Sequence, residues 1–372
     1  MSSADAEIIV VGGGPAGLAT AIRAARAGFR TTVFERAMGA TDKACGEGLM
    51  PHGVRALEAL GALKLIAERD CAPFQGIRYL LENGRAVDAR FRRGAGLGIR
   101  RTALSAALRE VAANAGVDLQ RASVRSFRSS AGSVEVETEL GTSACALLVG
   151  ADGLQSQTRA ASGLALTPRA DAPHRFGLRR HFACAPWSDL VEVHWTDGAE
   201  CYVTPVGPDA VNVAFLWSPR ALPRESETGF DALLARFPVV ARRLEGAAPL
   251  DEARGSGPLW RPTRARSAGR IALVGDAAGY VDAVTGQGLS LAFTGAEALV
   301  DALPRALSNE AALSLALTRY DRSLRSAWRR YAVPARALLA LADRPTMRRS
   351  ALGAAARAPR LFAFIVDAIS AG

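Results

Sequence analysis

The chain of 372 residues has only two lysines, Lys43 and Lys64, although its formal net charge is +10. Its basicity is therefore scattered arginine, with no lysine-rich block or aromatic-interleaved patch of the kind that grips nucleic acid. Such a surface can still favour an acidic substrate or an anionic membrane. The five cysteines, at 45, 71, 145, 184 and 201, are odd in number and form no C-x-x-C pair, so neither a disulfide framework nor a zinc site is expected. No apolar run reaches about 18 residues, and MSSADAE enters the first strand without a charged and an apolar leader region. A cytoplasmic protein with no bound metal is the expectation. Hydrophobic residues at 49% and charged residues at 22% suit a folded chain long enough for two domains.

Residues 7–35, EIIVVGGGPAGLATAIRAARAGFRTTVFE, hold the strongest signal. The apolar run Ile8 to Val11 predicts a buried parallel strand. Gly12, Gly14 and Gly17 then fit G-x-G-x-x-G, which combines a tight turn, a backbone that phosphate can approach and close packing of helix on strand. Phosphates are expected at the helix amino terminus around Pro15 and Ala16. A second strand, Thr31 to Phe34, runs into Glu35, whose carboxylate can accept from both hydroxyls of an adenosine ribose; Arg36 follows. Only one complete fingerprint is present, so no second dinucleotide domain is expected.

Two later segments repeat the pattern of strand followed by acid and glycine. In ALLVGADGLQSQTR, residues 146–159, an apolar strand leads to Asp152, Gly153 and Arg159. In GRIALVGDAAGYVDAVTGQGLSLAF, residues 269–293, a strand leads to Asp276, then to a loop with Gly286 and Gly288 and an amphipathic helix. Either aspartate could be an ordinary Asx turn at a strand end.

Together these three segments resemble the flavoprotein monooxygenases typified by 4-hydroxybenzoate hydroxylase, with features of the geranylgeranyl reductases. The resemblance implies FAD as cofactor, with NAD(P)H as a transient reductant in a shared cleft. It implies that Asp276 bonds the ribityl or pyrophosphate region, and that Thr285 to Leu289, including Gln287, offers N–H groups to the flavin. Arg101 with Leu104 and Leu108 resembles the family's R-x-x-L-x-x-x-L helix, with Arg100 the lesser choice. Val124 completes the implied cofactor contacts. Residues 43–53, KACGEGLMPHG, resemble the reductases' C-G-x-G-L loop, making Cys45, Gly46 and Gly48 flavin-side candidates. A small buried thiol is the plainer role for Cys45.

The middle of the chain shows the period-2 alternation of antiparallel strands in FGLRRHFA, VEVHW and ECYVTPVGPDAVNVAFLW. One face is expected to roof an apolar cavity and the other to meet solvent. His181, His194 and Tyr202 are the candidate proton-transfer groups. The last 60 residues predict basic helices, with an apolar stripe of Leu361, Phe362, Phe364, Ile365, Ala368 and Ile369 that packs on the sheet, forms a lid or touches a membrane.

The expected fold is α/β: a Rossmann-type FAD-binding domain from 1–75, 99–170 and 268–308, an interleaved antiparallel-sheet substrate domain from 76–98 and 171–267, and a helical segment over 309–372. The resemblance implies a monooxygenase that hydroxylates a small apolar aromatic, phenolic or polyketide-like molecule through a flavin C4a-hydroperoxide. The alternatives are saturation of prenyl double bonds, a halogenase lacking the W-x-W-x-I-P motif, and a non-catalytic flavin-binding protein. In VDAVTGQG, Ala283 stands where that family often has proline.

Overall fold

The computed structural model describes residues 6–37, 39, 42–81, 84–168, 172, 174–220, 229–342 and 344–370, so the amino-terminal reading at 1–5 lies outside the described residues. The strand Ile8–Val11 occupies the middle of a six-stranded sheet. The order is Ser267–Ala268, Ile271–Leu273, Leu147–Gly150, Ile8–Val11, Thr31–Glu35 and Asp118–Arg121. Every neighbouring pair is parallel except the first.

Alternation along these short strands builds two apolar layers. Ile8, Val10, Val33, Leu147 and Val149 pack with the helices Pro15–Arg26, Arg101–Asn114 and Gly288–Ala302. Ile9, Phe34, Leu148 and Ile271 pack instead on Val134, Val136 and Cys145 of a three-stranded meander formed by Val124–Ser129, Val134–Thr138 and Gly141–Cys145. Burial on both faces explains why the parallel strands read as unbroken apolar runs. The first helix opens on Pro15, whose fixed φ suits that position, and gives way at Gly28, where φ is 95°.

The second large sheet has seven strands, in the order Arg254–Ser256, Phe176–Ala183, Ala210–Trp217, Ala199–Gly207, Val191–Thr196, Gly76–Leu81 and Ala86–Arg90. It is antiparallel except between Val191–Thr196 and Gly76–Leu81. Its two faces follow the expected alternation, but the outer one does not meet solvent. Phe182, Cys201, Val203, Val213 and Phe215 are buried under two short helices, Phe230–Ala235 and Pro238–Arg243. Large apolar side chains at every second position require such a cover. The inner face carries His181, Asn212, Thr204, Tyr202, Val193 and Trp195 toward the first domain.

A small sheet of Gly48–Leu49, Gly96–Ile99 and Cys71–Phe74 joins the two. There the backbones meet closely: a Cβ on Gly98 would lie 1.6 Å from the Pro205 carbonyl oxygen. Helices Glu310–Ala342, Pro345–Arg357 and Pro359–Ser370 complete the chain. Phe362 stacks edge-on against Tyr79 at 5.6 Å, so the last helix packs on the inner face at the far end of the sheet.

Because the clash at Gly98 is with backbone, no rotamer change relieves it. Gly98→Ala is expected to lower unfolding free energy by about 2 kcal/mol or more, measured by chemical denaturation. A change below about 0.5 kcal/mol would contradict this reading of the junction.

Candidate functional site

Gly12 has φ of 105°, and a Cβ on Gly17 would stand 1.9 Å from the Gly12 carbonyl oxygen, so the helix begins hard against the turn. Gly14 differs. It caps the helix without any side-chain hydrogen bond, and a Cβ there would meet only Arg101 Nη2, at 4.0 Å. The first-turn N–H groups are thus left for an anion in the adjoining groove. Ala16 packs at Gly275, whose absent Cβ would lie 2.6 Å away. Glu35 is fastened at its strand end, accepting from Gly13 N at 2.6 Å and Ala37 N at 2.9 Å.

Lys43, the first residue of the KACGEGLMPHG segment, joins this groove although it was not among the candidates drawn from that segment. Its Nζ is 3.3 Å from where a Gly153 Cβ would be. Burial and the Arg101 charge pull its pKa down, against the pull of Glu35 and Asp276, while Arg36 adds repulsion. Arg101 keeps a buried Nε without a hydrogen-bond partner.

The Asp152 carboxylate accepts from Ser156 Oγ at 2.5 Å and from Thr158 N and Oγ1 at 2.9 and 3.0 Å, so it holds the short helix Gln157–Ala161. Its backbone stays at the fingerprint turn, with Cα 3.1 Å from where a Gly12 Cβ would stand. Arg159, nearly buried, donates to the carbonyls of Leu154, Asp276 and Ala277 and so ties the second segment to the third. Val124 opens the first strand of the meander and packs, partly buried, against the core between it and the parallel sheet.

Asp276 sits in a 3-10 turn, Gly275–Ala278, and among the described residues no side chain or N–H donates to its carboxylate. Burial raises its pKa, opposed by the charges of Arg101, Lys43 and Arg159. Such a carboxylate suits hydroxyl donors. Beyond it, Gly286 turns with φ of 63°, and Gln287 begins helix Gly288–Ala302 without a side-chain cap. The first intrahelical bond runs from Leu291 N to Gln287 O at 2.9 Å. The N–H groups from Gly288 to Ser290, including Leu289, therefore form a second positive helix end.

The departure at Ala283 has a structural substitute. Asp282, buried, accepts from Val284 N at 3.0 Å and pairs with Arg175 Nε at 3.2 Å, while Arg175 reaches Glu200 at 2.5 Å. Burial, only partly offset by Arg175, pushes the Asp282 carboxyl up to about 6. An Asx turn anchored by a buried arginine thus shapes the loop without proline.

Above the groove, the loop at Cys45 to Gly48 meets the inner face of the seven-stranded sheet. Asn212 Nδ2 donates to the Cys45 carbonyl at 2.9 Å, and Gly48 faces Thr204. No Cβ contact limits Gly46. Burial raises the Cys45 pKa, which keeps it a thiol. Glu47 is the one non-glycine with positive φ, 59°, among the described residues, and is buried. Its carboxylate accepts from Arg101 N at 2.6 Å and from His181 Nε2 at 2.5 Å. His181 Nδ1 lies 2.7 Å from Asp251, which pairs with Arg179; Arg179 and Arg254 in turn pair with Asp42. Burial and the Arg179 charge oppose charging His181, but the hydrogen bond and charge of Glu47 and the hydrogen bond of Asp251 outweigh them and raise its pKa.

The three proton-transfer candidates therefore separate. His181 is a doubly bonded strut between sheet and loop. His194 is corrected outright: it projects from the helix-covered face and bonds Glu192 at 3.0 Å, away from the groove. Tyr202 alone faces the Thr285 loop, its hydroxyl 3.4 Å from the Val284 carbonyl and 3.5 Å from Glu200. Burial and the Glu200 charge raise its pKa well above the ordinary value, so it stays a neutral donor.

The residues present fit FAD. A bare Gly14 and the unpartnered Arg101 Nε suit pyrophosphate, Glu35 suits ribose, Asp276 suits a ribityl hydroxyl, and the Gly288 helix end suits the flavin's electron-rich edge. Gly14→Ala is expected to lose most bound FAD, measured from flavin absorbance per protein, while its deflavinated form melts with the deflavinated wild type; full occupancy would contradict the groove assignment. A second expectation concerns pH. The raised His181 pKa contributes stability that is complete below its ordinary 6.5 and lost as pH rises through the folded value. Denaturation of wild type and His181→Gln from about pH 6 to 9 should show a gap that narrows with pH, and a gap that widens would refute the charged strut.

A family model described as "FAD binding domain" matches residues 5–332. The chain is 52% identical over 56 residues to a menaquinone reductase of Mycolicibacterium smegmatis, covering 15% of this chain and 14% of that protein. It is 42% identical over 84 residues to the 6-methylpretetramide 4-monooxygenase of Streptomyces rimosus, covering 23% and 20%. These matches thus span a fifth or less of either relative's length. In fold it is similar to the flavin-dependent brominase Bmp2, with TM-score 0.84 at 14% identity over 98% of this chain and 93% of the other. With the family model running from the first glycine turn into the long helix over the groove, this chain belongs to the FAD binding domain family, and FAD is its cofactor.

Proposed function

We propose that this flavoprotein is a monooxygenase that hydroxylates a small apolar aromatic or phenolic molecule, with NAD(P)H as electron donor and O2 as oxygen source. The observation that carries the reading is the juxtaposition of a positive helix end with an apolar, water-poor face. Met50 lies 3.0 Å from where a Gly286 Cβ would stand, in one buried cluster with Phe74, Tyr79, Val193 and Trp195. On the other side of the loop, Val284, Leu291, Leu216 and Tyr331 form a second apolar cluster with the long helix.

When bound, FAD supplies hydride acceptance and oxygen transfer. The chain's part is binding, orientation and exclusion of water. The N–H groups from Gly288 to Ser290 would stabilise negative charge on the reduced ring. Tyr202 holds a proton at its hydroxyl within reach of the loop, and the surrounding apolar side chains keep bulk water from the reacting atoms. The overall balance is R–H + O2 + NAD(P)H + H+ giving R–OH + H2O + NAD(P)+.

A second reading, reduction of prenyl double bonds, is favoured by the Cys45–Gly48 loop and by the local likeness to a menaquinone reductase. The halogenase reading draws on fold likeness, but Lys64 is exposed and Lys43 lies in the groove with Glu35 and Asp276, leaving no lysine on the inner face. Incubation with NAD(P)H, 18O2 and a panel of phenols and prenylquinones separates the readings. The expected product carries one 18O atom. A product that gains two hydrogens under anaerobic conditions, with no label under 18O2, would overturn the proposal in favour of the reductase.

A further inference from the structure

The carboxy-terminal helices carry an asymmetry that the cofactor groove does not use. Residues 344–366 contain five arginines and neither Asp nor Glu. Phe362 and Val366 turn inward onto Tyr79 and the sheet, whereas Leu361, Phe364 and Ile365 are exposed at 60%, 55% and 46%. Met347, on the preceding helix, is exposed at 46%. The side chains of Ala368 and Ile369, part of the same sequence stripe, lie outside the described residues.

Arginines border these apolar residues. Arg349, Arg357 and Arg360 are exposed on the same two helices. Arg92 and Arg93 join them, because Arg92 N donates to Asp367 at 2.9 Å and so pins their loop beside the last helix. Asp367, the acid nearest the apolar residues in sequence, is buried by that bond and takes no part in the surface. Among the described residues no helix is long and apolar enough to cross a membrane.

We propose that this face binds the surface of an anionic phospholipid bilayer, with Leu361, Phe364 and Ile365 entering the acyl boundary and the arginines among the headgroup phosphates. The chemistry is that of an interfacial helix: apolar side chains supply burial, and the basic rim supplies attraction to anionic lipid. Arg348 is buried and paired with Asp197 at 2.8 Å, but a second copy of this chain would still bring the exposed Arg344, Arg349, Arg357 and Arg360 against the same four arginines, which disfavours it as the occupant. The helix is also the outer wall of the apolar cluster that reaches, through Phe362, Tyr79 and Trp195, to Met50 at the Gly286 loop. Delivery of a lipophilic substrate from the bilayer toward that loop follows only if the monooxygenase reading holds; the docking itself does not depend on it.

The test uses the full flavin-loaded chain and sedimentation with two kinds of vesicle, pure phosphatidylcholine and a mixture with about one quarter phosphatidylglycerol. Expected is binding to the anionic vesicles at least about fivefold above the neutral ones, falling in about 0.5 M salt. The double variant Phe364→Glu, Ile365→Glu should lose about tenfold in binding while keeping its flavin spectrum and melting temperature. Equal or absent binding to the two vesicle types would overturn the proposal. So would a stable dimer in solution that the double variant dissociates, because the patch would then belong to a second copy.

Discussion

The contact between the Gly12 carbonyl and the bare Cα of Gly17 is the constraint on which the site depends. It lets the first helix start directly behind the turn, so that its unbonded N–H groups open into the groove instead of being covered by side chains. A similar economy at Gly275, where Ala16 fills the space of a side chain, brings the Asp276 turn against the same helix. Two helices, Pro15–Arg26 and Gly288–Ala302, which pack on each other, then present amino termini without side-chain caps. Both ends favour negative charge, one for phosphate and one for a reduced ring.

Holding the seven-stranded sheet above that groove falls to buried charge. Glu47, forced into positive φ, bonds the amino terminus of helix Arg101–Asn114 and His181 of the sheet at once. Arg175, Glu200 and Asp282 do the equivalent for the Thr285 loop. Buried pairs of this kind add little net stability over apolar packing, but breaking one leaves an uncompensated charge. Their effect is to specify one register between sheet and loop. Tyr202, between the two struts, is thereby set against the loop as a neutral donor.

The fingerprint strand, turn, helix and Glu35 were legible because every determinant lies within 30 residues and follows local periodicity. The same is true of the Asp276 turn and the Gly286 loop. Local pattern also separated the two faces of the antiparallel sheet, but could not say what covers the outer one; the helices over Phe230–Arg243 are short and broken by Pro238. Asp152 illustrates an ambiguity that local pattern leaves open. An acid after a strand satisfies either a ligand or the next turn, and here Ser156 and Thr158, a few residues on, take both oxygens. The Glu47 and His181 pair, 134 positions apart, had no local signature, though a charged residue between two glycines was a hint. Lys43 similarly became visible only when the groove placed it beside Gly153.

Glu35 and the Gly14 helix end suit the adenosine and pyrophosphate half of FAD as the Gly288 helix end suits its flavin. The direct measurement is fluorescence titration of the deflavinated protein with FAD and, separately, with FMN, which lacks the adenosine. FAD should bind at least about 100-fold more tightly, a difference of about 2.7 kcal/mol, with most of that preference lost in Glu35→Ala. Equal affinity for the two flavins would contradict it.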